Sequence, residues 1–209
     1  MSAALLLLAD GRLPAGGDAH SGGIEAAVER GLVHDVASLE LFLRGRLETT
    51  GLTAAVLAAS ACAATDLVTL DAVADARTPS PAQRATSRAQ GRALLRLARS
   101  AWPSPLLAEL GPEPHHAVAV GVIARIAGIS PLEAALTAAV ASVSGPASAA
   151  VRLLGLDPVA VTAVQARLSP QADAIAREAV EHPERCPGSP VLDLLAEAHA
   201  ARDVPLFAS

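Results

Sequence analysis

Residues Ser130–Leu154 read SPLEAALTAAVASVSGPASAAVRLL, and this stretch decides the fold class. Ser130 before Pro131 is a helix-start signal, because the serine side chain accepts an unpaired backbone N–H and proline has none to satisfy. Glu133, three residues after the serine, completes a capping box. The segment around Ala138–Ala139 is apolar nearly all round, so we place its helix at the centre of the molecule.

The same start signal, Ser or Asp before Pro, recurs along the chain. The pairs are Ser80-Pro81, Ser130-Pro131, Asp157-Pro158 and Ser169-Pro170, each followed by an Ala-rich periodic segment. Helical patterns cover 22–31, 36–50, 52–64, 66–76, 81–101, 115–127, 131–143, 147–154, 158–168, 170–182 and 190–201. The sequence contains no alternating strand pattern. We therefore predict an all-α fold, a single-domain helical bundle of about ten helices over residues 1–209.

Composition narrows the class of protein. Apolar residues make up 52% of the chain and aromatic residues 1%, which predicts a core of small side chains and closely packed helices. The net charge is −5 and every basic residue is Arg, so a nucleic-acid surface is not expected. The longest uncharged runs fall short of the roughly 20 apolar residues of a membrane span, and residues 1–10 lack a signal-peptide pattern. Cys62 and Cys186 do not make a disulfide framework, and we expect a soluble cytoplasmic protein.

The stretch Arg12–Gly31, RLPAGGDAHSGGIEAAVERG, surrounds His20 and Ser21 with glycines. Gly17 and Gly22 have the spacing of a phosphate-binding loop, but the chain has no Lys to reach a phosphate. Residues 19–23 approximate the GxSxG pattern of a hydrolase nucleophile, which requires a strand feeding a helix. A small helical serine hydrolase using Ser21 is therefore kept as an alternative. The simplest interpretation is that Ser21 caps the following helix.

Four stretches together resemble the UreF family, the F-type urease accessory proteins. In order along the chain they are Leu13–Glu25, close to the family pattern LPxGxxxHSxGLE; Ser87–Leu95, SRAQGRALL; Ala150–Leu154, AVRLL; and the ending from His199 through Leu206, Phe207, Ala208 and Ser209. The resemblance covers nearly the full chain, and its first and last motifs are the most specific. The chain departs from the family pattern at Asp18, Gly22 and Pro205.

The resemblance implies a non-enzymatic assembly protein. It would form a homodimer and bridge the D-type urease accessory protein and the G-type GTPase, in a complex that delivers nickel to apo-urease. The partner would hydrolyse GTP, no cofactor would be bound tightly, and nickel would be handled transiently by the complex. The expected docking segments are a loop at 10–25 and a tail at 203–209. The expected partner-binding residues are Pro14, Gly17, His20, Ser21, Gly23, Glu25, His199, Leu206, Phe207 and Ser209.

Two further features are ambiguous from sequence. Five arginines share one arc of a helix: Arg84, Arg88, Arg92, Arg96 and Arg99. They form either a dock for an acidic partner or a solvated outer face. Leu206 and Phe207 in the tail either fold back onto the bundle or insert into the D-type partner.

Histidines do not converge on a metal site in the sequence. His115 and His116 are adjacent, so their side chains point about 100° apart on a helix. Pro183 separates His182 from Cys186, and neither CxxC nor HxxxH occurs. We predict no metal site and expect each His to be structural or exposed.

Overall fold

The computed structural model of the chain describes residues 3–11, 13 and 21–201. Across these residues ten α-helices follow one another and no strand occurs, so the predicted all-α fold is confirmed. They are α1 Ala3–Leu8, α2 Ile24–Glu29, α3 Val36–Arg46, α4 Leu52–Ala63, α5 Leu67–Ala76, α6 Pro81–Ala101, α7 His116–Ile126, α8 Pro131–Leu154, α9 Pro158–Glu181 and α10 Pro190–Ala200. A π-helical turn, Leu47–Gly51, joins α3 to α4, and a 3-10 turn, Pro105–Ala108, precedes α7.

Helices α4 and α8 form the centre of the bundle, which is the position that the apolar pattern predicts for α8. Helix α4 packs along α7 and α8, and α8 also packs along α9. Both helices contribute to two apolar clusters, one shared with α2, α3, α9 and α10 and the other with α1, α5, α6 and α7. Helix α8 is long and apolar enough to cross a membrane, since an 18-residue window of it has a mean hydropathy of 1.4. However, 56% of that window is buried inside the protein. It is therefore the core helix of the bundle.

Small residues let the central helices approach closely, as expected from the composition. A methyl group added at Gly121 of α7 would lie 2.2 Å from the carbonyl oxygen of Ala58 and 2.7 Å from Cβ of Ala61. Both of these residues belong to α4. The absence of a side chain at Gly121 therefore sets the distance between α4 and α7.

Three of the predicted helix starts are confirmed. The Ser80, Ser130 and Asp157 side chains accept backbone N–H groups in the first turns of α6, α8 and α9. Ser130 and Glu133 form the predicted capping box. Helix α1 was not predicted, because a short apolar run carries no helical period.

The fourth predicted start, at Ser169-Pro170, is wrong, because α9 continues through Pro170. Proline has no backbone N–H, so the carbonyl of Ala166, four residues earlier, loses its helical donor. The Ser169 hydroxyl lies 2.9 Å from that carbonyl oxygen and donates to it instead. The serine that we interpreted as a cap thus repairs the interior of a long helix.

The predicted segments 131–143 and 147–154 also form one helix, α8, with Pro146 inside it. Here the carbonyl of Ser142 is the one deprived of its helical donor. Nε of Arg46, from the end of α3, donates to that oxygen at 2.8 Å. A side chain distant in sequence therefore maintains the continuity of the central helix.

We expect Gly121→Ala to lower the free energy of unfolding by about 1–3 kcal/mol, because its methyl group overpacks the α4–α7 contact. Urea denaturation measures the change. Gly45→Ala on α3 is the matched control, since nothing lies within 4 Å of the added methyl. The control should be stabilised by about 0.5–1 kcal/mol. Equal behaviour of the two variants would contradict the close approach.

Candidate functional site

Helix α2, at the end of the stretch Arg12–Gly31, contacts the last helix, α10, inside the protein. Glu25 lies in the first turn of α2 and His199 in the last turn of α10. Oε2 of Glu25 is 3.7 Å from Nε2 of His199, which is within ion-pair distance, and each side chain is only 2% exposed. One residue of the first family motif is therefore in contact with one residue of the last. Because both are buried, any contribution to partner binding is made through the positions of the segments around them.

Gly22 is closely surrounded by residues of α3 and α8. Its φ of +61° lies in the left-handed region that favours glycine. A Cβ at this position would also lie 2.8 Å from Cγ of Pro146 and 3.2 Å from Cζ of Arg46. Both the backbone angle and the contact with α8 explain why this chain has glycine where the family pattern often has a bulky residue.

Arg46 connects Gly22 to the part of α8 that contains Pro146. Its Nη1 donates to the carbonyl of Gly22 at 2.8 Å, while Nε donates to the Ser142 carbonyl freed by Pro146. Desolvation of the guanidinium lowers the pKa of Arg46 to about 10. The side chain is therefore still protonated at neutral pH, and one cation bridges two backbone segments.

Ser21 does not cap the following helix, and its predicted role in partner binding stays a prediction. It is fully buried, and its hydroxyl has no hydrogen-bond partner within residues 3–11, 13 and 21–201. The N-cap of α2 is Gly23, with no side-chain cap, so the prediction that Ser21 caps this helix is wrong. A nucleophilic serine needs access to substrate and a base within hydrogen-bond reach. The geometry of Ser21 therefore gives the hydrolase alternative no support.

A cavity of about 640 Å³ borders the opening stretch. Gly22, Gly23, Arg46 and Thr53 are among the residues that line it. Thr53 is 8% exposed, and its hydroxyl has no hydrogen-bond partner in the part of the chain that the structure describes. The start of α2 thus lies at the edge of a cavity with both cationic and hydroxyl groups.

A second polar cluster, missed by the sequence analysis, is centred on His115. Nδ1 of this buried ring is 3.0 Å from Oγ of Ser87, and Nε2 is 2.9 Å from Oδ1 of Asp75. The hydrogen bond from His115 and then the contacts with Arg88 hold the pKa of Asp75 below its ordinary value. No local motif could reveal this cluster, because its residues come from α5, α6 and the start of α7.

The His115 cluster has a structural role. The Ser87 hydroxyl oxygen also accepts the backbone N–H of His116, and Asp71 accepts that of His115. These bonds satisfy donors at the start of α7, which a helix leaves without intrahelical partners. The Ser, His and Asp side chains therefore join three helices, as expected for a structural histidine.

The arginines of α6 are partly used within the chain. Arg84 donates to the carbonyls of Thr78 and Pro79. Arg88 binds two carboxylates of α5, and Arg92 pairs with Glu113. The side chains of Arg92, Arg96 and Arg99 are exposed. The binding of an acidic partner to this arc stays a prediction.

The other predicted docking residues lie outside the described residues. They are Pro14, Gly17, His20, Leu206, Phe207 and Ser209. Within residues 3–11, 13 and 21–201, no group of three or more His, Cys, Asp or Glu side chains is placed to hold a metal ion. The docking roles of the loop and the tail stay predictions.

We expect a double-mutant cycle to link Arg46 to Pro146. Arg46→Met should cost about 1–3 kcal/mol for each carbonyl left without a donor. Pro146→Ala supplies an N–H to Ser142, so Arg46→Met should cost about 1 kcal/mol less in that background. Urea denaturation of the four proteins tests the coupling. Arg44→Met, which breaks only an exposed pair with Glu40, is the control. Additive costs for Arg46 and Pro146 would contradict the repair of α8.

The lowered pKa of Asp75 predicts how the stability of the protein depends on pH. Its pKa is lower in the folded protein than the ordinary 3.8, so its stabilisation is present above about pH 4 and is lost as pH falls through the folded pKa. We expect Asp75→Asn to lower stability at neutral pH and to flatten the fall in stability that the wild type shows as the pH drops below about 4. Urea midpoints across this range measure the effect, with the exposed Asp173→Asn as control. Parallel curves for Asp75→Asn and the wild type would overturn the prediction.

Comparison with known proteins places the chain among relatives along its whole length. The UreF family model matches residues 33–169. A protein named urease accessory protein UreF, from Mycolicibacterium vanbaalenii, is 49% identical over 99% of this chain and 98% of its own length. Proteins of the same name from Mycobacterium sp. strain JLS and Mycobacterium tuberculosis strain H37Rv are 47% and 46% identical, over 98% and 99% of this chain and 97% and 98% of their own lengths. These matches show that the chain belongs to the UreF family of urease accessory proteins.

Proposed function

We propose that this chain bridges the D-type urease accessory protein and the G-type GTPase in a cytoplasmic complex that inserts nickel into apo-urease. Family membership supports a role in urease maturation, and the bridging role is the finer proposal. Nickel is the cargo of the complex, and the G-type partner hydrolyses GTP. The chain has no Lys for a phosphate-binding loop, which fits a non-catalytic part in the assembly.

The observation that carries the proposal is the Glu25–His199 contact. The loop at 10–25 ends in α2 at Glu25, and the tail at 203–209 begins just after α10, which ends at Ala200. The end of the loop and the start of the tail are therefore both within a few residues, along the sequence, of one buried contact. A partner that recognises the loop and the tail needs them near each other, and this arrangement supports that requirement.

Exposed apolar side chains on α10 support association with other chains. Val191 is 60% exposed and Leu194 is 67% exposed, on the helix that leads into the tail. Isolated exposed apolar residues are ordinary on protein surfaces, but two within one turn beside a predicted docking segment favour a protein contact. We assign this face of α10 to the D-type partner. The homodimer implied by the family is part of the same proposal.

We expect removal of Val204–Ser209 to abolish capture of the D-type partner while leaving the melting temperature nearly unchanged. Burial of Leu206 and Phe207 in the partner contributes roughly 1.5–3 kcal/mol each before ordering costs. Pull-down with the purified D-type protein and thermal denaturation measure the two effects. A Val204→Ala, Ala208→Ser double variant is the control, because it keeps Leu206 and Phe207 and should still bind. A truncated chain that melts several degrees lower, yet binds as tightly as the full chain, would place the tail in the core.

A further inference from the structure

We infer that the cavity lined by residues of α4, α6 and α8 is a binding site for a small, singly charged oxyanion of the carboxylate class, held by Arg46 and the hydroxyl of Thr53. The cavity measures about 640 Å³, and both side chains are among those that line it. The ligand is bound within this chain alone. The inference therefore does not depend on the proposed bridging role.

Arg46 carries a positive charge that no carboxylate of the described residues neutralises. The groups that accept its hydrogen bonds, the carbonyls of Gly22 and Ser142, are neutral. Desolvation lowers the pKa of Arg46 to about 10, and no acidic group in the described part of the chain opposes that shift. A desolvated cation is costly without a counter-charge, and an anion in the adjoining cavity would supply one.

The guanidinium of Arg46 also keeps donors for a ligand. Its bonds to the two carbonyls use one N–H on Nε and one on Nη1. Within residues 3–11, 13 and 21–201, Nη2 donates to no group. The remaining N–H groups lie in the guanidinium plane, which is the arrangement that binds the two oxygens of a carboxylate.

Thr53 is a second, independent indication of a ligand. It is 8% exposed, and its hydroxyl has no partner among the described residues, although buried hydroxyls normally have one. The hydroxyls of Thr49 and Thr50 instead donate to carbonyls one turn earlier. Arg46, Thr50 and Thr53 follow at intervals of four and three residues along α3, the π-helical turn and α4, which places them on one helical face. All three line the cavity.

The charge of the cavity favours an anion with a single negative charge. With histidines counted as neutral, the charged side chains in the described lining are three arginines and two aspartates: Arg46, Arg77, Arg152, Asp10 and Asp193. One positive charge is therefore in excess, in a chain whose net charge is −5. This excess matches a monocarboxylate better than a dianion.

Acetate is the probe for the first test. We expect titration of the full chain with sodium acetate to give saturable NMR shifts at the Nε signal of Arg46 and at the amides of Thr50 and Thr53. The dissociation constant should be millimolar, as expected for a ligand of few atoms. Sodium chloride at the same concentrations controls for ionic strength. An equal response to chloride, or no saturable response to acetate, would overturn the inference.

Thr53→Val tests the hydroxyl without disturbing Arg46. It should weaken acetate binding about fivefold or more, while stability to urea without acetate stays the same or rises, because an unpaired hydroxyl is removed. Thr137→Val is the matched control, since Thr137 lines the same cavity but its hydroxyl already donates to the carbonyl of Glu133 at 2.9 Å. Equal weakening in the two variants would contradict the assignment of Thr53.

Arg46 is tested in the Pro146→Ala background, where α8 has its own N–H for the carbonyl of Ser142. Pro146→Ala alone should bind acetate as the wild type does. Adding Arg46→Met should abolish the saturable shifts. Acetate affinity that survives in the folded double variant would exclude Arg46 as the binding cation. If the double variant does not fold, the wild-type titration and Thr53→Val still decide the inference.

A further variant separates a free ligand from a carboxylate of the chain itself. Asp18, four residues before Gly22 in the sequence, lies outside the described residues. For a ligand taken from solution, Asp18→Asn should bind acetate with the affinity of the wild type. Acetate binding that appears only in Asp18→Asn would mean that the chain supplies its own counter-charge, and the inferred ligand site would be wrong.

Discussion

The position of Gly22, just before α2, depends on one guanidinium. Pro146 removes a hydrogen-bond donor from the middle of the central helix, and Arg46 replaces it at the carbonyl of Ser142. The same side chain donates to the carbonyl of Gly22, so one residue both repairs α8 and holds Gly22 in place before α2. A planar cation with several fixed donors suits this task, because a single ammonium group would not span two carbonyls in the same way. The position of Gly22 before α2 therefore depends on the structure of the core helix.

Helix α2, near one end of the chain, also contacts α10, near the other end. Helix α2 begins at Ile24, two residues after Gly22, and its Glu25 lies within ion-pair distance of His199 on α10. Helix α10 is held in turn against the start of α6, because its Glu197 accepts the backbone N–H of Ala82. The start of α7 is fixed separately, by the cluster of Ser87, His115 and the α5 carboxylates. In a core made largely of alanine, these few polar contacts specify how the helices are joined.

Much of the fold could be predicted from the sequence because its signals are local. Ser-Pro and Asp-Pro pairs mark three helix starts, and the apolar run around Ala138 identifies the central helix. The interior prolines could not be interpreted correctly in the same way. Ser169-Pro170 has the composition of a helix start, and only the hydrogen bond of Ser169 to Ala166 shows that the helix continues. At Pro146 the missing donor comes from Arg46, which no local pattern connects to it.

The sequence predicted a set of docking residues, and their docking role stays a prediction. The family resemblance selected Glu25 and His199, yet it could not show that they are buried against each other. The most direct test of the central claim is a hydrogen-exchange footprint of the full chain bound to the D-type accessory protein. If the D-type protein docks on both segments, amide exchange should slow simultaneously in the loop at 10–25, in α10 and in the tail at 203–209. Protection confined to the exposed arginines of α6, with the loop and the tail unchanged, would contradict it.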